Sequence, residues 1–305
     1  MGDLNARLIE VIDVQDELGE GVLWRASDST VWWVDILGQS VHCLSWPSLE
    51  LRTYGLPERP GSLAFVEGRD DVLVIALETG FAVWSPETGD VTWLSRPGGL
   101  GNGVRMNDGR VGPDGRFWAG SMSERGVKEG QLAPGALFRL DHDGASSPVL
   151  ADVHISNGIC WSPDGKRMYF ADSPRGEVHV AAFDTAVGAP GFWKPFAQFT
   201  GEFPDGAVTD ADGNYWTALW GGGRVAGLSP EGEEIGSIAI DAPQPSCPVI
   251  GGPEGNLLFV TTAQQGMDPG ALGRSPQSGN LFVYETSLRA APIVRMRLAP
   301  SRLAR

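Results

Sequence analysis

Residues 163–170 read Pro163-Asp164-Gly165-Lys166-Arg167-Met168-Tyr169-Phe170, an acidic glycine turn that runs into an aromatic-rich strand. Five other stretches carry the same idea: Asp28-Ser29-Thr30-Val31-Trp32-Trp33, Gly68 to Ile75, Pro113-Asp114-Gly115-Arg116-Phe117-Trp118, Asp212-Gly213-Asn214-Tyr215-Trp216, and Pro253-Glu254-Gly255-Asn256 to Phe259. They recur irregularly but always at about 40–50 residues, the period of propeller blades. Six such units account for the 305 residues. The reading is therefore all-β: one six-bladed β-propeller over residues 1–305, built from four-stranded antiparallel blades. A blade buries its faces only against its neighbours, which favours one continuous ring. A ring of blades gathers loops around a central mouth, so Glu20, Asn107, Asn157 and Asp205 can converge although far apart in sequence.

Working outward, strand signals dominate. Trp32 to Ile36, Val72 to Leu77, Phe81 to Trp84, Ala136 to Leu140 and Gly279 to Tyr284 are β-branched or aromatic runs bounded by turn residues. Glycine at 42 residues and proline at 22 suit many tight turns and few long helices. No window holds an amphipathic helical period; short turns, as around Pro269 to Gly273, are the exception. The apolar strand Leu8 to Val14 has no partner near it in sequence. It is expected to pair with the C-terminal strands of the last blade, leaving no open edge. Residues 299–305 read as a polar, frayed tail. Met122 to Pro134 and Thr262 to Gly279 are longer than hairpins need, and read as lids or as surface excursions.

A net charge of −15 disfavours nucleic acid and anionic membranes as partners, since both need basic patches. Cys43, Cys160 and Cys247 form an odd, sparse set without CxxC spacing, so neither a disulfide framework nor a thiolate zinc site is expected. Reduced, partly buried cysteines and an N-terminus without an apolar signal core point to a cytoplasmic protein. No run reaches the length of a membrane span. Neither GxSxG, HExxH nor a lysine-bearing phosphate loop is present. His42, His142, His154 and His179 do not pair at ligand spacing.

Four clusters carry the chemistry. Gly19-Glu20-Gly21 puts a carboxylate between glycines ahead of an apolar strand, where it either approaches the axis or stays in water. Arg105-Met106-Asn107-Asp108-Gly109 offers a fork of donors and an amide, suited to a polyhydroxylated or anionic ligand. Asp108 is read as the acid of an Asx-type turn. In Ser156-Asn157-Gly158 the Asn157 amide oxygen is a neutral, hard metal donor, or else the residue makes an Asn-Gly turn. Asp205 stands in a Pro-Asp-Gly triplet, a common turn. Its register nevertheless differs from Asp114 and Asp164, because the repeated turn of its blade is Ala211-Asp212-Gly213.

From about Leu8 to Tyr284 the chain resembles the senescence marker protein / gluconolactonase / regucalcin (luciferin-regenerating enzyme-like) family. The motifs are Gly19-Glu20-Gly21 with Trp24, Arg105-x-Asn107-Asp108-Gly109 with Phe117-Trp118-Ala119-Gly120-Ser121-Met122, Ser156-Asn157-Gly158 and Pro204-Asp205-Gly206. Tyr215 to Gly222 and Gly266-Met267-Asp268 add to them. The resemblance implies one divalent metal cation at the axial mouth: calcium, zinc, manganese or iron. Glu20, Asn157 and Asp205 would be its ligands. Arg105, Asn107, Met122 and Glu124 would bind substrate, with Asn107 touching either substrate or the water at the metal. Family members mostly hydrolyse sugar lactones, so the expected activity is aldono-lactone hydrolysis by metal-activated water. Asp205 would be the general base and a small-molecule lactone the partner, in a monomer or weak homo-oligomer. The alternative is a calcium-binding regulatory protein without turnover. One departure is Arg125, where some members carry an acid; here Glu124 stands beside it.

Overall fold

The computed structural model describes residues 6–125 and 131–303. Six antiparallel sheets follow one another along the chain as the blades of a propeller. Their innermost strands are Gly19–Arg25, Pro60–Val66, Val104–Val111, Ser156–Trp161, Phe203–Thr209 and Pro245–Gly251, in blades 1 to 6. Five of the sheets are four-stranded; in blade 4 the outer edge is split into Ala189–Pro190 and Lys194–Gln198, both paired with Glu177–Asp184. The repeated turns are the hairpins between the first and second strand of each blade.

The aromatic content of the second strands has a packing reason. Successive strand residues point to opposite faces, and both faces of a blade are covered by neighbours. Trp32 enters the apolar cluster between blades 1 and 2, while Trp33 enters the one between blades 6 and 1. Phe117 and Trp118, Tyr169 and Phe170, and Tyr215 and Trp216 divide in the same way. Six such clusters fill the six gaps of the ring.

The ring closes as its unpaired N-terminal strand requires. Arg7–Ile12 pairs antiparallel with Leu281–Glu285, the third strand of blade 6. A bulge between Leu8 and Glu10 resets the alternation, so Ile12 is buried beside Trp24, Trp33, Phe259 and Val283 while Leu8 remains 45% exposed. The two helices among the described residues are the short Pro269–Arg274 and Pro300–Leu303.

The C-terminal segment crosses the face that carries the repeated turns. Arg289 pairs with Asp212 at 2.7 Å, the Ala290 N–H donates to the Gly255 carbonyl at 2.8 Å, and Arg295 pairs with Asp70 at 2.6 Å. The Met296 N–H donates to Phe65 at 2.7 Å and the Arg297 N–H to Gly115 at 2.9 Å. Ala291 to Val294 cap the channel on that side. Residues 299–303, read from sequence as part of a frayed tail, are tied down. The Ala299 N–H donates to the His142 carbonyl at 2.7 Å and Leu303 packs against the cluster between blades 2 and 3. Residues 304–305 lie outside the described residues.

Two substitutions in the closing strand separate burial from mere pairing. Ile12→Ala is expected to lower unfolding stability by about 2–5 kcal/mol, the cost of an apolar truncation that leaves a cavity. Leu8→Ala is expected to change it by less than about 0.5 kcal/mol. Urea midpoints of the two variants check this; equal effects would contradict the closure described.

Candidate functional site

Every inner strand breaks its pairing register near its N-terminal end, between Glu20 and Leu23, Pro60 and Ser62, Met106 and Gly109, Asn157 and Cys160, Pro204 and Ala207, and Pro245 and Cys247. A bulge bends its strand and re-aims the side chain beside it. Gly21 and Gly158 make this possible with φ of +59° and +61°, a region closed to most residues. Two acids at the ends of second strands set the chain that enters two of these bulges. Asp35 accepts from the backbone of Leu18 at 3.0 Å, and Asp172 from that of Ile155 at 3.0 Å.

The bulged residues meet at the mouth opposite the C-terminal segment. Glu20, Arg105, Asn107, Asn157 and Asp205 are all buried and line one cavity of about 540 Å³, with Met122 on its wall. Leu18, Ile155, Phe203 and Trp220 supply apolar wall, and Ser173, Gln244 and Gln265 further polar groups. Glu124 is not on the wall. It accepts from Arg59 at 2.6 and 3.1 Å and from Arg105 Nε at 3.3 Å, so it reaches the cavity only through Arg105. The bond from Arg59 holds the Glu124 carboxyl below the usual range. Arg125 is exposed and lies against Gly103 on the same rim. Gln265 and Gly266 bring the second long insertion to the mouth. Of the first, residues 126–130 lie outside the described residues.

Asp108 departs from its reading as a turn acid. It is buried within Val104–Val111, and its Oδ2 accepts from the Ile159 N–H at 3.0 Å. It holds the inner strand of blade 3 to that of blade 4 and adds a buried acid beneath the mouth. The Glu20 and Asp205 carboxyls lie within hydrogen-bonding reach of each other. Burial, then the charge of Asp108, pushes Glu20 up to about 8. Burial, then the charges of Glu20 and Asp108, pushes Asp205 well above the usual carboxylate range. Burial likewise lowers the guanidinium of Arg105.

These residues fit a divalent cation. Two carboxylates and an amide oxygen form a hard oxygen donor set; Arg105 stands near Glu20 and Arg110 near Asp108, yet burial still raises all three acids. Buried charges need pairing, and a cation at the mouth would supply it. Sequence reasoning did not single out Arg59, Ser173, Gln244, Phe203 or Trp220. Phe203 and Trp220 stood within or beside quoted motifs, but their side chains face the cavity only through blade geometry.

The chain is similar to known proteins over most of its length. The family described as SMP-30/Gluconolactonase/LRE-like region matches residues 18–264. An L-arabinolactonase from Azospirillum brasilense is 35% identical over 90% of this chain and 90% of its own. A 6-deoxy-6-sulfogluconolactonase from Pseudomonas putida is 31% identical over 93% of this chain and 97% of its own. The crystal structure of a calcium-binding protein, regucalcin, from Agrobacterium tumefaciens superposes with a TM-score of 0.87 at 30% identity, covering 95% of this chain and 98% of that one.

The raised carboxyls make a signed prediction. The folded protein without cation holds protons on Glu20 and Asp205 that the unfolded chain has already released. The contribution of Glu20 to stability is therefore greatest near pH 4 and declines as pH rises toward about 8, and that of Asp205 falls with rising pH in the same sense. In chelator, Glu20→Gln should gain thermal stability relative to the parent protein between about pH 5 and pH 8. Melting curves across that range check it; a difference independent of pH would contradict the burial of an ionisable Glu20.

Proposed function

Because this chain belongs to the SMP-30/gluconolactonase/LRE-like family, we propose that it is a hydrolase of a sugar lactone, using a divalent cation held by Glu20, Asn157 and Asp205. Relatives named as an L-arabinolactonase, a 6-deoxy-6-sulfogluconolactonase and a pentonolactonase support the cyclic ester as substrate class. The observation that carries the cation is the facing pair of buried carboxyls, Glu20 and Asp205, with Asn157 on the same cavity. Calcium, zinc, manganese and iron are all compatible with the donors. Bound there, the cation would supply positive charge that polarises the lactone carbonyl and the attacking water.

The chain's own residues do the rest. Arg105 donates through Nη1 to the Met106 carbonyl at 3.0 Å and to Asn107 Oδ1 at 2.7 Å, and Nε faces Glu124. Its Nη2 has no protein acceptor among the described residues, so a pre-set donor remains for the lactone oxygens. Glu124 thus binds substrate through Arg105, and Asn107 does so beside it. Met122, Ile155, Phe203 and Trp220 take the C–H faces of the ring and exclude water. Asp205 accepts a proton as water attacks the carbonyl carbon, provided one of its oxygens is free. When the ring C–O bond breaks, Asp205 returns that proton to the leaving oxygen, and the product is an open-chain hydroxy acid. No covalent enzyme intermediate is needed.

Asp205→Asn keeps a ligating oxygen but removes the base. At saturating cation its turnover on an aldono-lactone should fall by about 10²–10⁴-fold. Asn107→Ala should retain the cation and raise KM or lower kcat through lost substrate contacts. Chelation should abolish hydrolysis and added metal restore it. Parent-like turnover by Asp205→Asn would exclude Asp205 as base. Cation binding without turnover on any lactone of a panel would leave the calcium-binding alternative.

A further inference from the structure

One run of hydrogen bonds crosses three blades at the cavity floor, and its polarity is forced from both ends. Arg105 in blade 3 can only donate, and its Nη1 does so to Asn107 Oδ1 at 2.7 Å. The Asn107 amide nitrogen must then face onward, donating to the Ser156 carbonyl and to Asn157 Oδ1, both at 3.0 Å. At the other end, the Pro204 carbonyl in blade 5 can only accept, and the Ser173 hydroxyl donates to it at 2.7 Å. That uses the single proton of Ser173. Its oxygen is left to accept from Asn157 Nδ2, at 2.8 Å. The run admits one direction, from guanidinium to backbone carbonyl, and fixes both amides.

We propose that Ser173 is a positioning residue that locks the Asn157 amide with its oxygen on the cation side and sets its separation from Asp205. The inference rests on the cation reading above. Three observations carry it. Ser173 is buried at the cavity and opens the 3₁₀ turn Ser173–Arg175. That turn follows Asp172, which accepts from the backbone of His154 and Ile155 at 3.2 and 3.0 Å, so the hydroxyl is held against the strand that carries Asn157. The acceptor of Ser173 is the carbonyl of the residue before Asp205. A single hydroxyl therefore joins the amide of one proposed ligand to the backbone of another, across the gap between blades 4 and 5. Without it, Asn157 Nδ2 loses its acceptor in a buried site, and only the Asn107 contact at Oδ1 is left to hold the amide in the ligating geometry.

The test reads the lock both through the cation and without it. Calorimetric titration of chelated protein with calcium and with manganese should show affinity about 10–100-fold weaker in Ser173→Ala, the usual loss when a group orienting a ligand is removed. Ser173→Thr, which keeps the hydroxyl, should stay within about threefold. Hydrogen exchange of the Asn157 side-chain amide, assigned by its absence in Asn157→Asp, should be faster in chelated Ser173→Ala than in the parent. Glu20→Gln serves as the control. If it weakens binding while Ser173→Ala changes neither affinity nor exchange, the positioning role is overturned and the cation reading stands. If the parent binds neither ion, the cation reading fails. Unchanged exchange then overturns the lock as well, and faster exchange upholds it for Asn157 alone. Should Ser173→Ala not fold, Ser173→Cys, with its weak acceptor, takes its place in both measurements.

Discussion

Six inner strands share one axis, and this crowding governs the rest of the molecule. At Gly61 the approach leaves no space for a side chain, since a Cβ there would meet the backbone of Asn107 and Met106 at 2.7 Å. Each inner strand breaks register near its N-terminal end. A regular ladder would alternate its side chains into the gaps between blades, where only apolar groups are stable. The bulge inserts a residue that belongs to neither gap, and that residue faces the axis. Glu20, Asn107, Asn157 and Asp205 stand beside or within these breaks, which is how polar groups come to be buried in an otherwise apolar ring.

The two ends of the channel follow from strand polarity. Inner strands begin at the polar mouth and end at the repeated turns, where the C-terminal segment crosses from blade 5 to blade 3 and hydrogen-bonds turn after turn. That end is apolar and capped by Ala291 to Val294. The other end is an open cavity with charged residues at its floor. The Arg7–Ile12 strand closes the ring, and both features rest on that closure, because an open ring would splay the inner strands from the axis.

Electrostatics at the mouth are arranged in layers. Glu20 and Asp205 meet at the centre without a nearby cation strong enough to offset their burial, and Asp108 beneath them deepens the field. Around this centre the groups are neutralised locally. Arg105 is held by Glu124, and Glu124 by Arg59, which also pairs with Glu78 at 2.9 Å. The outer pairs orient donors, while the inner acids, kept neutral by burial, can give up their protons to a cation that takes their place.

The sequence by itself determined the blade count, the hairpin turns and the need for the N-terminal strand to close the ring. These are local or one-dimensional properties: a turn signal, an aromatic strand and a repeat distance. It also singled out Glu20, Asn107, Asn157 and Asp205 as candidates: a register difference set Asp205 apart from the repeated turns, while for Glu20 and Asn157 the local sequence left a solvated or turn role open and the family resemblance implied the ligand role. Only the tertiary structure decided what those residues touch. Asp108 looked like one more turn acid, yet it bonds across to Ile159, fifty-one residues away. Ser173 and Arg59 carried no motif, since their partners lie on other strands and in other blades. Glu124 was a substrate-binding candidate in the sequence, yet it stays off the cavity wall and acts only by holding Arg105, an arrangement set by its pairing with Arg59. Contacts between blades depend on the angle and level at which inner strands pass one another, and no single stretch of chain encodes those.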